Sequence, residues 1–190
     1  GGRTGTSGSD TNRPRRRPER SDPAVPACTR RDAQCRTQAG EPVNIRPATA
    51  NDVGDVLVLE RAIFPDDAWS AEMLAEGFTS EYGHYVVVEQ DGAIIAYAGA
   101  YHLPGDEVAD IHTIAVTPSA RGNGLGAELF DGLVAWCTAD GAQRILLEVR
   151  ADNLVAQNLY QSRGFQTIAV REGYYQPANV DAFVMEKRVA

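Results

Sequence analysis

The chain has 190 residues, of which 43% are hydrophobic, enough for one α/β domain with a sizeable core. Its formal net charge of −8 is unevenly distributed, because residues 1–41 carry +4 and residues 42–190 carry −12. An acidic body repels nucleic-acid phosphates, so direct binding to DNA or RNA is not expected and a cationic partner is favoured.

Residues 1–41 are rich in Gly, Ser, Thr, Pro and Arg and include the run Arg15-Arg16-Arg17. Such a segment buries too little apolar surface to offset the entropy of ordering it, so we predict a disordered basic extension. The basic run could contact RNA, but a solvated extension is the simpler interpretation. The folded domain is predicted over residues 42–190.

From Val43 onwards apolar residues recur at regular spacings. These periodic patterns predict eleven elements in the order β-α-α-β-β-β-α-β-α-β-β. Strands are predicted over residues 43–46, 85–89, 93–101, 110–116, 144–150, 165–171 and 182–188, and helices over 52–64, 71–77, 124–140 and 154–163. Ser70 is a good N-cap for the second helix, and Gln90-Asp91-Gly92 is typical of a hairpin turn. This order indicates a mixed central β-sheet with helices on both faces.

The first candidate site is the glycine-rich turn Arg121-Gly122-Asn123-Gly124-Leu125-Gly126, which leads from a strand into a helix. Such a turn can bind an anion, because glycines let the backbone approach closely and the free N–H groups carry the positive end of the helix dipole. The turn lacks the full dinucleotide fingerprint and the Gly-Lys-Ser/Thr of a Walker loop. By itself, an ordinary turn is an equally good interpretation.

The second candidate is Glu148, which stands between Leu147 and Val149 in an apolar strand. A carboxylate enclosed by apolar groups is uncommon and would suit general-base catalysis near neutral pH. The alternative is a structural ion pair with Arg150 or another base. Asn153, at the following strand–helix junction, either only caps the helix or also contacts a ligand.

The third candidate is Tyr160, which shares a helix face with Ala156 and Leu159. A tyrosine on an apolar helix face is commonly a core residue. A catalytic role is suggested only by the other candidate motifs in the sequence. Gly164 follows at the position where a helix ends.

Together these motifs resemble the GNAT superfamily of N-acetyltransferases, whose acetyl-CoA loop reads Q/R-x-x-G-x-G/A. Other motifs resemble its ribosomal-protein-alanine acetyltransferase family: Leu147-Glu148-Val149-Arg150, Asn153, Leu159-Tyr160, Gly164-Phe165, Arg171-Glu172-Gly173-Tyr174-Tyr175, Phe64-Pro65 and Trp69-Ser70. The resemblance covers residues 43–189. It implies the GNAT fold and an acyltransferase that uses acetyl-CoA as co-substrate.

The resemblance also implies roles for individual residues. Glu148 would accept a proton from the amine, and Tyr160 would donate one to the leaving thiolate. The implied cofactor contacts are the backbone of Ile114, Ala115 and Val116 for the pantetheine arm, Arg121, Gly122, Asn123, Gly124, Leu125, Gly126 and Ala127 for the pyrophosphate, and Asn153. Trp69, Tyr174 and Tyr175 would border a peptide groove. Two departures are Ala68, where proline is usual, and Ala127-Glu128, where a basic residue is common.

The implied acceptor is a peptide N-terminus, most simply the N-terminal alanine of a ribosomal protein, protein eighteen of the small subunit. An α-amine has a pKa of about 7.7–8.0, whereas lysine has about 10.4, so an N-terminus is much easier to deprotonate at neutral pH. The acidic body favours a peptide with Arg or Lys near that N-terminus. The alternatives are a lysine or small-amine (polyamine or aminoglycoside) acetyltransferase, or a non-catalytic acyl-CoA-binding module.

The remaining features exclude several classes of protein. Three cysteines at irregular spacing make neither a disulfide framework nor a zinc site, so no metal is expected, and Cys137 is predicted to be a core side chain. No segment reaches the roughly 18–20 apolar residues that span a bilayer, and no secretory signal is visible. We therefore expect a cytoplasmic protein without membrane partners.

Overall fold

The computed structural model describes residues 43–189, so the predicted basic extension, with Cys28 and Cys35, lies outside the described residues. The strands are β1 (Asn44–Pro47), β2 (Gly83–Gln90), β3 (Ala93–His102), β4 (Val108–Val116), β5 (Arg144–Arg150), β6 (Gln166–Tyr175) and β7 (Val180–Arg188). The α-helices are α1 (Val53–Ile63), α2 (Ala71–Thr79), α3 (Leu125–Ala139) and α4 (Leu154–Ser162). Short 3-10 turns span Ala50–Asp52 and Pro118–Ala120.

The seven strands form one mixed sheet in the order β1-β2-β3-β4-β5-β7-β6, which confirms the predicted fold class. All eleven predicted elements are present in the predicted order. The largest difference is at β6, which was predicted to end at Arg171 and continues to Tyr175. Its pairing with β7 is irregular between these two residues, which explains why the sequence there does not alternate like a regular strand.

Alternate residues of the central strands face two separate apolar layers, as the two-residue period of a strand requires. Val88 and Ala96 belong to the cluster that includes Phe130 of α3, whereas Val87 and Tyr97 belong to the cluster under α1 and α2. The sheet is therefore covered by helices on both faces. Cys137 of α3 is fully buried, as predicted, and burial raises the pKa of its thiol to about 12.

The cleft that concerns function forms where β4 and β5 separate. These strands pair in parallel only from Val108 with Arg144 to Ile111 with Leu147, although both continue beyond that point. On its other edge β4 remains paired with β3, but there His112 is an extra residue, a β-bulge. Because a bulge bends its strand, β4 turns away from β5 at this residue, and a wedge opens between the ends of the two strands.

Candidate active site

The wedge holds a cavity of about 150 Å³, here called the central cavity. Its walls are residues 111–114 of β4 and 147–150 of β5, completed by Glu60, Phe64, Asp67, Trp69, Asn153, Tyr160 and Tyr175. Sites for drug-sized ligands are about 300–1,000 Å³, so a cavity of this smaller size suits a small group such as an acyl group. Both predicted catalytic residues, Glu148 and Tyr160, line it.

Glu148 is less enclosed than the sequence predicts. The alternation of β5 puts Leu147 and Val149 in the core and turns Glu148 towards the cleft, where its side chain is 30% exposed. Its Oε1 lies 2.6 Å from a guanidinium nitrogen of Arg171. The prediction of an apolar enclosure is therefore wrong, and the ion pair that was its alternative forms with Arg171 of β6.

Arg150, the other proposed partner, is engaged elsewhere. Its guanidinium contacts Asp67 at 2.6 Å and Asp152 at 3.0 Å. The contact with Asp67 ties the segment between α1 and α2 to the end of β5, which fixes one wall of the central cavity.

Tyr160 is partly buried and packs against the hydrophobic core. Its ring packs against Phe130, with 4.7 Å between the ring centroids, and burial raises the pKa of its hydroxyl to about 12. Among residues 43–189 no hydrogen-bond partner of this hydroxyl is found. The phenol is thus protonated at neutral pH and available to donate a proton or a hydrogen bond into the cavity.

A second depression, here called the cofactor groove, has a volume of about 660 Å³ and opens into the central cavity, with which it shares Phe64, Ile114, Asn153 and Tyr160. Every residue predicted to contact the cofactor lines the groove except Asn123. Gly124 is the N-cap of α3 at φ 84°, in the left-handed region that favours glycine. No side chain caps this helix, and the N–H groups of its first turn have no acceptor within the described chain, so they are free for a phosphate.

Two polar side chains border the cofactor groove as predicted. Arg121 donates from Nε to the carbonyl oxygen of Val116 at 2.9 Å, which anchors its guanidinium beside the glycine turn. Asn153 caps α4, since its Oδ1 accepts from the N–H of Ala156 at 3.1 Å. Its amide NH₂ has no hydrogen-bond partner among the described residues and Asn153 lines the groove, so capping and ligand contact are compatible.

A third depression, here called the acidic groove, has a volume of about 730 Å³ and meets the central cavity at Glu148 and His112. The predicted border residues Trp69, Tyr174 and Tyr175 line it together with Asp66, Asp67, Asp110, Glu148, Arg171 and Met73. Of its four carboxylates, Asp67 and Glu148 are paired with arginines. Asp66 and Asp110 form no ion pair within residues 43–189, and partial desolvation raises the pKa of Asp110 although this residue is exposed to the groove.

Sequence reasoning missed Glu60, which is 1% exposed on α1 and lines the central cavity. It accepts hydrogen bonds from the hydroxyl of Tyr97 and, at 3.1 Å, from the backbone N–H of Trp69. Burial raises its pKa. A signal existed, because Glu60 falls four residues after Val56, on the buried face of its helix.

Comparison with known proteins decides the family. Residues 55–165 match the Acetyltransferase (GNAT) family. The chain belongs to the GNAT family. It is an acyltransferase by that membership, and the matched segment includes the glycine turn, Glu148 and Tyr160.

Relatives within the GNAT family resemble most of this domain. The N-alpha-acetyltransferase RimI of Mycobacterium tuberculosis is 36% identical over 77% of this chain and 93% of its own. The [ribosomal protein bS18]-alanine N-acetyltransferase of Escherichia coli K12 is 33% identical over 62% of this chain and 78% of its own. The crystal structure of the ribosomal-protein-S18-alanine N-acetyltransferase from Escherichia coli superposes with a TM-score of 0.70 at 27% identity, covering 78% of this chain and 94% of that one.

Another relative, an uncharacterized protein of Mycobacterium leprae, is longer, and this chain spans 44% of it at 36% identity. In the described part of this GNAT domain, no helix is long and apolar enough to cross a membrane. Residues 43–189 also contain no group of His, Cys, Asp and Glu side chains arranged to hold a metal ion.

Proposed function

We propose that this enzyme transfers the acetyl group of acetyl-CoA to the α-amino group of a protein N-terminus, most simply the N-terminal alanine of ribosomal protein bS18. The observation that carries the proposal is the junction of three spaces at one pair of residues. Tyr160 lines both the cofactor groove and the central cavity, and Glu148 lines both the central cavity and the acidic groove.

Acetyl-CoA supplies the acetyl group and leaves as the thiol. Its pyrophosphate would meet the free N–H groups at the start of α3 and the guanidinium of Arg121. The edge of β4 that faces the wedge has no strand partner beyond Ile111, so residues 114–116 have backbone groups to offer the pantetheine amides. The NH₂ of Asn153 would add a donor.

The amine would enter through the acidic groove as an ammonium group. Glu148 would take its proton, and the neutral nitrogen would attack the thioester carbonyl carbon. Tyr160 would donate its proton to the leaving sulfur as the C–S bond breaks, and the second proton that the attacking nitrogen loses on becoming an amide would return the tyrosinate to its neutral form. A positioned acid or base typically contributes about 10²–10⁴-fold in rate, which is ample for an α-amine that is already about one-tenth neutral at pH 7.

Arg171 affects the first step, because its guanidinium occupies the position on Glu148 that an ammonium group would take. The pair is partly exposed, and exposed pairs are worth about 0–1 kcal/mol, so an incoming amine displaces Arg171 at little cost. The unpaired Asp66 and Asp110 favour peptides with a cationic side chain near the N-terminus.

The experiment is acetylation by the purified protein of three acceptors: a peptide with the N-terminal sequence of bS18, the same peptide with its α-amine blocked, and a polyamine. Mass spectrometry is expected to find one acetyl group on the free α-amine and none on the blocked peptide. Acetylation of lysine in the blocked peptide, or of the polyamine alone, would replace the proposed acceptor. Binding of acetyl-CoA without any transfer would indicate a non-catalytic module.

A further inference from the structure

His112 is a cleft residue that the mechanism above does not use. It is the bulged residue of β4 and lines both the central cavity and the acidic groove. Its ring stacks on Tyr101, with 5.7 Å between centroids and 9° between planes, and Trp69 lies 5.7 Å away. The imidazole is therefore held in a fixed plane at the junction where the acceptor reaches the central cavity.

Tyr85 holds the inner edge of this imidazole. Its hydroxyl oxygen lies 2.7 Å from Nδ1 of His112. The phenol ring fills space that glycines leave free, since a Cβ on Gly99 would lie 2.1 Å from the ring and one on Gly77 would lie 2.8 Å from it. A ring so confined, in a residue only 6% exposed, keeps its hydroxyl at one place.

Hydrogen-bond satisfaction then selects the tautomer of His112. Leaving a buried hydroxyl without an acceptor is unfavourable, and Nδ1 of His112 is the one acceptor found for Tyr85 within residues 43–189. If Tyr85 donates to Nδ1, the proton of the neutral imidazole resides on Nε2. His112 is exposed to the cleft, yet partial desolvation of its ring lowers its pKa and the charge of Asp110 only partly opposes this, so the neutral form is favoured at pH 7.

We propose that His112 is a substrate-binding residue whose Nε2–H donates to a backbone carbonyl oxygen of the acceptor peptide, with Tyr85 as the positioning residue that fixes this tautomer. No partner for Nε2 is found in the described chain, so the donor is free for a ligand. An N-terminal peptide offers a carbonyl oxygen next to its reactive amine, whereas a polyamine offers none. This inference rests on the proposed function and explains how that site distinguishes the two.

Four variants test it by steady-state kinetics with the bS18 peptide. His112→Phe keeps an aromatic ring between Tyr101 and Trp69 but loses the donor, so KM is expected to rise about tenfold, the value of one good hydrogen bond, with a smaller change in kcat. Tyr85→Phe keeps the caged ring and frees the tautomer, so a smaller rise in KM is expected. The double variant is expected to match His112→Phe, because Tyr85 acts through His112. His112→Gln retains an N–H donor and is expected to recover part of the loss.

The outcomes separate the two proposals. If the wild type acetylates the peptide and His112→Phe leaves KM unchanged, or if the two losses add, the role of His112 is refuted and the proposed function stands. If His112→Phe lowered kcat a hundredfold or more and altered the pH profile, His112 would be a proton acceptor. That result would also refute its role as a hydrogen-bond donor to the peptide. A wild type that acetylates only the carbonyl-free polyamine contradicts both proposals. Unchanged acetyl-CoA affinity in every variant is the control for correct folding.

Discussion

Glu148 and Tyr160 line the same central cavity but have different neighbours. Both residues are partly buried, but Glu148 is paired with Arg171, whereas Tyr160 packs against the core side chain Phe130 and its hydroxyl has no hydrogen-bond partner within the described residues. A proton acceptor has to exchange its proton with solvent, and a proton donor has to stay protonated until the thiolate forms. The neighbours of each residue agree with the role proposed for it.

This difference predicts two distinct pH profiles. Glu148→Gln is expected to lower kcat about 10²–10⁴-fold at pH 7, and up to about tenfold of this deficit is expected to be recovered above pH 8, because the α-amine is about one-tenth neutral at pH 7 and loses its remaining protons in solution. Tyr160→Phe removes a hydroxyl whose pKa is raised to about 12, so its deficit is expected to be constant between pH 6 and 9. Single-turnover rates across this range measure both.

The two variants control for each other, because both should retain the acetyl-CoA affinity of the wild type. Equal, pH-independent losses would mean that the two side chains only position the reactants. Wild-type rates in both would assign the proton transfers to other groups, such as Asp110 acting through water.

At the scale of single elements, the glycine turn depends on a backbone conformation rather than on a side chain. Gly124→Val is expected to abolish measurable acetyl-CoA binding, because a β-branched residue resists the left-handed conformation at φ 84° and the first turn of α3 would lose its N-cap geometry. Isothermal titration calorimetry measures the affinity.

Gly132 supplies the matched control for this variant. It lies within the same helix with no atom near its missing Cβ, so Gly132→Ala is expected to bind acetyl-CoA like the wild type. Unchanged affinity in a folded Gly124→Val protein would show that the turn does not hold the cofactor.

The junction of β3 with the end of α3 predicts a pH-dependent stability. Buried His102 places Nδ1 at 2.7 Å from a carboxylate oxygen of Asp140 and Nε2 at 2.9 Å from the carbonyl oxygen of Asp106. Two acceptors suit the imidazolium, and the hydrogen bond to Asp140 raises the pKa of His102. A raised pKa stabilises the fold fully below the unfolded value of about 6.5 and loses this effect as pH rises through the folded value.

Urea unfolding of the wild type and His102→Gln is therefore expected to differ most at pH 6, by about 1–2 kcal/mol, and progressively less towards pH 9. Asp140→Asn keeps an acceptor oxygen without the charge, so it is expected to reduce this pH dependence. A difference that did not vary with pH would mean that His102 stabilises the protein as a neutral ring.

At the scale of the whole molecule, residues 42–190 carry a charge of −12, and four of their carboxylates line the acidic groove. Asp110→Asn is expected to raise KM about two- to fivefold for a peptide with arginine in second position, the effect of one partly exposed charge. Raising the ionic strength from about 0.05 to about 0.5 M is expected to raise the KM of the wild type for this peptide by a similar factor, because salt screens the attraction. A peptide with uncharged side chains is the control, and equal effects on both peptides would contradict the electrostatic account.

The sequence predicts those features that depend on neighbours along the chain. Periodicity identifies the strands and helices, and the turn before α3 follows from its glycines. The wedge could not be predicted, because it depends on a bulge at His112 that appears only when β4 is aligned with β3. For the same reason the pairing of Glu148 with Arg171, from a strand two positions away in the sheet, could not be predicted.

The cofactor groove and the acidic groove share no lining residue, and each opens separately into the central cavity. Two reactants with separate entrances do not block each other, so neither has to leave before the other arrives. Cys137, the cysteine of the described residues, lies in the core and therefore cannot form a covalent acyl-enzyme intermediate. We therefore expect direct transfer within a ternary complex, in which the product thiol competes with acetyl-CoA and leaves the entrance of the peptide free.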